Sequence, residues 1–277
     1  MPTIAEKRAA YRKLHESGCF VIPNPWDVGS ARYLQGLGFK ALASTSAGFA
    51  FTQGLPDGAV TRASMLAHLT EIVAATDVPV NADFEGGYAD APEGVAESVR
   101  LCIDTGVAGL SIEDSTSDPA TPLYDFDLAL ARVRAARAAI DQSGVVFTAR
   151  SEGFVRGRPD LDETIRRLKA FADAGADCLY APGIKTREEI AAVVKAVAPK
   201  PVNFLMAAAT SLSVSDLAGL GVRRISLGAT LARVAWTAVN RAARAIAEDG
   251  RFDLLAGTMA NAELNRFFRD DMGKRSP

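Results

Sequence analysis

Carboxylate and amide side chains recur where short apolar runs of the chain end: Asp57, then Asn81, Asp83 and Glu85, then Glu113 and Asp114, then Glu152 beside Arg150, with Asn203 inside a later run. Acids brought to one mouth repel unless protons or a cation neutralise them. An all-oxygen set with water suits a hard ion such as Mg2+ better than Zn2+. Asp83 and Glu113 are therefore the candidate metal ligands, with Glu85 and Asp57 beside them, and Mn2+ is expected to substitute for Mg2+. The plainer alternative is a set of solvated acids that cap helices or sit in glycine-rich loops. Arg150 follows the apolar run 145–149, where a guanidinium would face the same acids and grip a carboxylate through two parallel hydrogen bonds. Its competing role is an ion pair with Glu113 or Glu152. Ser46, Ala47 and Gly48 are small enough to let backbone N–H groups approach a carboxylate or an oxyanion, the alternative being a tight turn.

Other chemistries have little to work with. The two histidines, His15 and His68, fall in helical segments away from the apolar runs, and no GxxxxGK[ST] or GxGxxG sequence offers a nucleotide cradle. Lys185 could form a Schiff base, but it directly precedes a helix cap at Thr186 and reads more simply as solvated. Cys19, Cys102 and Cys178 are widely spaced without a CxxC pair, as in a reduced, cytoplasmic protein. A net charge of −2 over 277 residues gives no field to hold nucleic acid or a membrane surface, which leaves small molecules as partners. The N-terminal stretch is charged and helix-like, and no run of about 18 apolar residues occurs.

The elements that must position these groups follow a repeating order. Short β-like runs at 20–22, 41–44, 78–82, 109–112, 145–149, 178–181, 202–205 and 224–227 alternate with stretches of helical periodicity, as expected of parallel βα units. Thr61 opens an amphipathic run to residue 75, Asp160 precedes another at 161–174, and Thr186 with Glu189 forms a capping box before 190–197. Eight units in a chain of this length predict a (β/α)8 TIM barrel, whose catalytic groups lie at the C-terminal ends of the strands. We expect one domain over 1–277, with 230–277 as a helical extension (helices at 230–248 and 259–270) that either packs on its own barrel or reaches a neighbouring subunit.

Taken in order, Asn24-Pro25-Trp26-Asp27, the Ser46-Ala47-Gly48 turn, Val80-Asn81-Ala82-Asp83 with its trailing glycines and Tyr88, Ile112-Glu113-Asp114 and Ala149-Arg150-Ser151-Glu152 resemble the isocitrate lyase/phosphoenolpyruvate mutase superfamily. The resemblance implies a Mg2+-dependent barrel that makes or breaks a C–C or P–C bond next to a 2-oxo acid, usually as a tetramer with an exchanged helix. It implies that Ser46, Ala47 and Gly48 bind the substrate carboxylate, joined by Trp26 as a substrate-binding residue. Asp57, Asp83 and Glu113 would coordinate the metal directly or through water, Arg150 would stabilise the enolate, and Asn203 would contact the distal part of the substrate.

Departures from the family pattern narrow the chemistry. Asn81 replaces the first metal-motif aspartate, which by the resemblance makes it a metal ligand, and Glu85 stands before the glycines in a position to restore the lost charge. The cysteine loop of the isocitrate and methylisocitrate lyases is replaced by Ser115-Thr116-Ser117-Asp118-Pro119-Ala120-Thr121-Pro122, which removes their proton donor. Pro182 and Leu205 stand where the lyases have polar groups, which implies a smaller substrate. The expected function is Mg2+-dependent C–C cleavage of a small 2-oxo or 2-hydroxy carboxylate through an enolate, with Arg150, Glu113, Asp57 and Ser117 as catalytic residues and residues 115–122 as a lid. The alternatives are a phosphonopyruvate-type P–C hydrolase or mutase and a non-catalytic keto-acid-binding barrel. A homo-oligomer, dimer or tetramer, is expected.

Overall fold

A computed structural model describes residues 2–275. Eight parallel strands, β1 (Phe20–Ile22), β2 (Leu42–Ala43), β3 (Val80–Asp83), β4 (Gly109–Glu113), β5 (Val146–Arg150), β6 (Cys178–Tyr180), β7 (Val202–Leu205) and β8 (Arg224–Ser226), pair in sequence and then β8 with β1 to give a nearly closed barrel. Each lies within two residues of its expected position. Only β1 and β2 lack a ladder, and the seam is closed by other means. Ala43 donates its N–H to the Pro23 carbonyl (3.1 Å), while the Asn24 amide donates to the Ser44 carbonyl (2.8 Å) and accepts from the N–H groups of Leu227 and Gly228 (2.8 and 2.9 Å).

Helices α1 (Ile4–Leu14), α2 (Val28–Gly36), α3 (Ser46–Thr52), α4 (Arg62–Ala75), α5 (Pro92–Asp104), α6 (Phe126–Ile140), α7 (Leu161–Asp173), α8 (Arg187–Val197), α9 (Val214–Gly219), α10 (Thr230–Asp249) and α11 (Asn261–Arg275) complete the described chain. The anticipated caps form: Thr61 accepts from the Ser64 N–H, Asp160 from that of Glu163, and Thr186 and Glu189 satisfy each other's backbone. Ser46–Gly48 is not a tight turn but the first turn of α3, capped by Thr45, whose hydroxyl accepts from the Gly48 N–H (3.1 Å). The last helix starts at Asn261 and docks on α2, where Phe267 meets Tyr33 (ring centroids 4.7 Å apart) and Arg275 pairs with Asp77 just beyond α4 (3.2 Å). No helix among the described residues is long and apolar enough to cross a membrane.

Period-two alternation divides each strand. Leu110, Ile112, Phe147, Ala149 and Leu179 face the surrounding helices in one continuous apolar core. Their neighbours Ser111, Glu113, Thr148, Arg150, Tyr180, Asn203 and Arg224 point the other way, so the barrel interior is largely polar. At its floor the N-terminal helix supplies a plug. Tyr11 and His15 lie beneath Arg224, which is 2% exposed and donates to Asn203 Oδ1 (2.8 Å), Tyr11 Oη (2.9 Å) and Thr148 Oγ1 (3.0 Å), with His15 Nε2 at 3.3 Å. No carboxylate pairs with this buried cation among the described residues. Neutral acceptors compensate its desolvation instead. Gly109 is required here, because a Cβ would lie 2.5 Å from the Tyr11 ring and 2.6 Å from Asn81 Oδ1.

Burial and the Arg224 charge push the His15 imidazole down to about 3, so it is neutral in the fold. Between that value and the ordinary histidine range, near 6.5, the unfolded chain binds a proton that the folded chain does not, so stability falls as pH drops through this window. In urea titrations at pH 7 and pH 4.5, His15→Gln is expected to lose less stability on acidification than wild type. The slope removed is at most about 1.4 kcal/mol per pH unit, and identical slopes would contradict a buried neutral His15.

Candidate active site

At the C-terminal ends of the strands the barrel opens into a cavity of about 990 Å3. Register sets Glu113, Arg150, Tyr180 and Asn203 side by side on β4 to β7. Arg150 sits among three acids. Its Nη1 donates to Asp83 (2.8 Å) and meets Glu113 (3.0 Å), its Nε donates to Glu152 (2.8 Å), and its guanidinium lies over the Tyr180 ring at 4.7 Å. Burial works against this charge, but Glu113, Glu152, Tyr180 and Asp83 outweigh it and hold the guanidinium protonated. Glu152 is 2% exposed, and burial pushes its carboxyl up to about 8 against the pull of Arg150. Asp114 fixes that loop by accepting from the Glu152 N–H (2.8 Å) and from Arg167 of α7 (3.0 Å).

The expected metal ligands meet at this mouth. Asp83 accepts from both the N–H and the hydroxyl of Ser46 (3.0 Å each) on its second oxygen, and Glu113 accepts from Ser115 (2.8 Å). Glu85 reaches in from a left-handed backbone position (φ 47°), and burial together with Asp83, Glu113 and Asp57 pushes its carboxyl up to about 7. Asp57 lies on the loop after α3 and is raised by burial, then by Asp83 and Glu113. The Asn81 amide oxygen is turned toward Gly109 beneath the acids. Ala47, Ser117 and Asn203 also line the cavity, although Asn203 is fully buried. Trp26 and Gly48 do not line it; the Trp26 Cβ lies beside Gly48 of α3.

Among the described residues, no three acidic, histidine or cysteine side chains close around a point as a complete ligand cage would require. Asp83 and Glu113 turn to Arg150 instead. The donor set nevertheless suits magnesium, which keeps several waters and takes only one or two carboxylates directly. Glu85 Oε1 is buried without a hydrogen-bond partner, and Asp83, Glu113 and Asp57 press on it with like charge. A divalent cation would satisfy both conditions.

Residues 115–122 form a self-tied loop at the rim. Ser115 bridges Leu123, Thr116 binds the Pro122 carbonyl (3.0 Å), and Asp118 accepts from the Ala120 N–H (2.9 Å) and the Thr121 hydroxyl (3.0 Å). The sequence alone points to no role for Arg156 or Tyr180. Arg156 stands at the rim, 3.2 Å from Ser115 Oγ and 3.7 Å from Glu113. The period of two gives a partial signal for Tyr180 and Arg224, because each shares a strand face with a flagged or cavity-lining residue.

With this geometry in place, comparison with known proteins identifies the family. Residues 11–247 match the family model described as phosphoenolpyruvate phosphomutase. An oxaloacetate decarboxylase of Paraburkholderia xenovorans LB400 is 32% identical over 231 residues, covering 79% of this chain and 74% of that one. A Burkholderia cenocepacia J2315 protein, described in its crystal structure as a candidate lyase/mutase, is 47% identical with a TM-score of 0.91 over 96% of both chains. The crystal structure of a 2,3-dimethylmalate lyase is 30% identical with a TM-score of 0.84, covering 99% of this chain and 98% of that one. Matched over most of its length in sequence and in fold, the chain belongs to the phosphoenolpyruvate mutase/isocitrate lyase superfamily.

Proposed function

We propose that this protein is a Mg2+-dependent lyase that cleaves a C–C bond of a small 2-oxo or 2-hydroxy carboxylate through an enolate. The observation that carries the reading is Arg150, a part-buried guanidinium held by three acids in the wall of an acidic cavity. The decarboxylase and lyase among its relatives support the same chemistry. Asp83 and Glu113 would hold the ion, with Glu85, Asn81 and Asp57 around them; bound there, Mg2+ would polarise the C2 oxygen of the substrate. Arg150 places fixed positive charge where the enolate develops, and needs no reorganisation to do so. The α3 backbone at Ser46 and Ala47 would seat the substrate carboxylate, with Ser46 exchanging its bond to Asp83 for one to the ligand. Pro182 and Leu205 offer the cavity no side-chain polar group, which favours a short substrate.

A second reading is P–C bond cleavage of a phosphonopyruvate-like substrate. Arg156 and the Ser115 hydroxyl favour it, because together at the rim they could bind a phosphonate. Release of inorganic phosphate would select it over carbon-carbon cleavage. The proposed setting is a cytoplasmic, single-domain protein. It is proposed to assemble as a homodimer or homotetramer through α10, on which Val234, Trp236 and Val239 are at least half exposed. Light scattering should return a mass of two or four chains, and a monomer at micromolar concentration would count against this assembly.

Two substitutions test the mouth itself. Asp83→Ala is expected to abolish Mg2+ binding in calorimetry, and an unchanged affinity would move the metal elsewhere. Arg150→Lys keeps a charge but cannot reach Asp83, Glu113 and Glu152 together. It is expected to lower kcat/KM on the best substrate by about 100-fold or more while the melting temperature shows an intact fold. A folded variant with near-wild-type turnover would reduce Arg150 to a structural ion-pair partner.

A further inference from the structure

Enolate chemistry needs a proton for carbon, and residues 115–122 offer a poor source. Ser117 is an exposed alcohol, and hydrogen bonds from Ala120 and Thr121 hold the Asp118 carboxyl below its ordinary range, where it is ionised. The barrel wall offers another. Tyr180 ends β6, lines the cavity at 6% exposure and carries the Arg150 guanidinium over its ring.

The polar groups beside Tyr180 run in one direction. Arg224 has only N–H groups, so its Nε–H fixes Asn203 Oδ1 as an acceptor (2.8 Å). The Asn203 Nδ2 is thereby turned to Ser226 Oγ as a donor (2.9 Å). With that bond accepted, the Ser226 hydroxyl has its own proton to give, and its influence on Tyr180 favours a charged phenol oxygen. The phenol's proton is the one left over, and the open side of Tyr180 is the cavity.

We propose that Tyr180 is a catalytic residue that delivers a proton to the enolate carbon, with Arg224, Asn203 and Ser226 as positioning residues that turn its O–H into the cavity. The proposal rests on the 2-oxo acid reading above. In the step, the O–H bond of Tyr180 breaks and its electron pair stays on the phenol oxygen. The C2–C3 π pair of the enolate forms the new C3–H bond, and the C2 carbonyl is restored. The phenolate, beside Arg150 and favoured by Ser226, recovers its proton from water at the mouth. Burial keeps the phenol neutral beforehand, pushing it up to about 12.

Enolpyruvate, released in situ from phosphoenolpyruvate by a phosphatase, provides a probe whatever the physiological substrate. Wild type with Mg2+ is expected to accelerate its ketonisation, followed by ultraviolet absorbance. Tyr180→Phe should slow that acceleration at least 30-fold while changing the affinity for oxalate, a planar dianion like the enolate, by less than 3-fold in calorimetry. Asn203→Asp gives an independent arm: the new carboxylate pairs with Arg224 and preserves the fold, but it accepts the Ser226 proton and leaves the Tyr180 proton to turn toward Ser226. A loss of at least 10-fold with an unchanged or raised melting temperature is expected. Ketonisation by Tyr180→Phe at the wild-type rate would overturn the role, as would a parallel loss of oxalate binding, which marks a structural residue. Wild type that binds oxalate without accelerating ketonisation would also overturn it. Wild type that binds no oxalate would instead remove the 2-oxo acid reading and this proposal with it.

Discussion

The pairing of Arg150 with Asp83, Glu113 and Glu152 holds the mouth of this barrel together. Three carboxylates on three segments would repel across a cavity of low dielectric, and one guanidinium with a fork of donors reconciles them. Each acid is in turn held from behind: Asp83 by the first turn of α3, Glu113 by Ser115, and the Glu152 backbone by Asp114 and, through it, Arg167. Such an arrangement cannot relax one member at a time. It is pre-organised for charge, and Asp83, Glu113 and Asp57 together press on Glu85 beside it.

The interior of the barrel below the mouth follows from the same logic. A closed eight-stranded barrel usually fills its centre with branched apolar side chains. Here the centre carries Asn203, Thr148, Tyr180 and a buried arginine, and the N-terminal helix provides Tyr11 and His15 as the acceptors that make this burial tolerable. Polar groups satisfied only by one another have a single good arrangement. The floor therefore transmits a fixed orientation upward to the reacting centre.

Much of this was legible in the chain. Parallel strands buried on both faces give unmistakable apolar runs, and the polar residue that ends each run falls at the mouth, which is why Asp83, Glu113 and Arg150 could be placed together. What sequence could not supply was the sense of the alternation: inside and outside positions of a buried strand are both apolar-compatible, so Tyr180 and Arg224 read as ordinary members of their runs. Trp26 sits outside the lining of the cavity, with its Cβ beside Gly48 of α3. Ser46–Gly48 read as a turn because three small residues give no helical period, whereas Thr45 caps them into α3.

The Asn24 clip has a consequence for how the chain comes to be folded. Its amide joins the end of the first strand to Leu227 and Gly228, more than two hundred residues later. Loop-closure entropy of that size must be met before the contact returns anything, and contacts of such sequence separation slow folding. During synthesis the first strand emerges early and has no ladder with the second, so its edge stays open until the eighth strand has left the ribosome. The barrel is sealed by the last strand made, and for most of translation β1 is an unpaired edge that needs shelter.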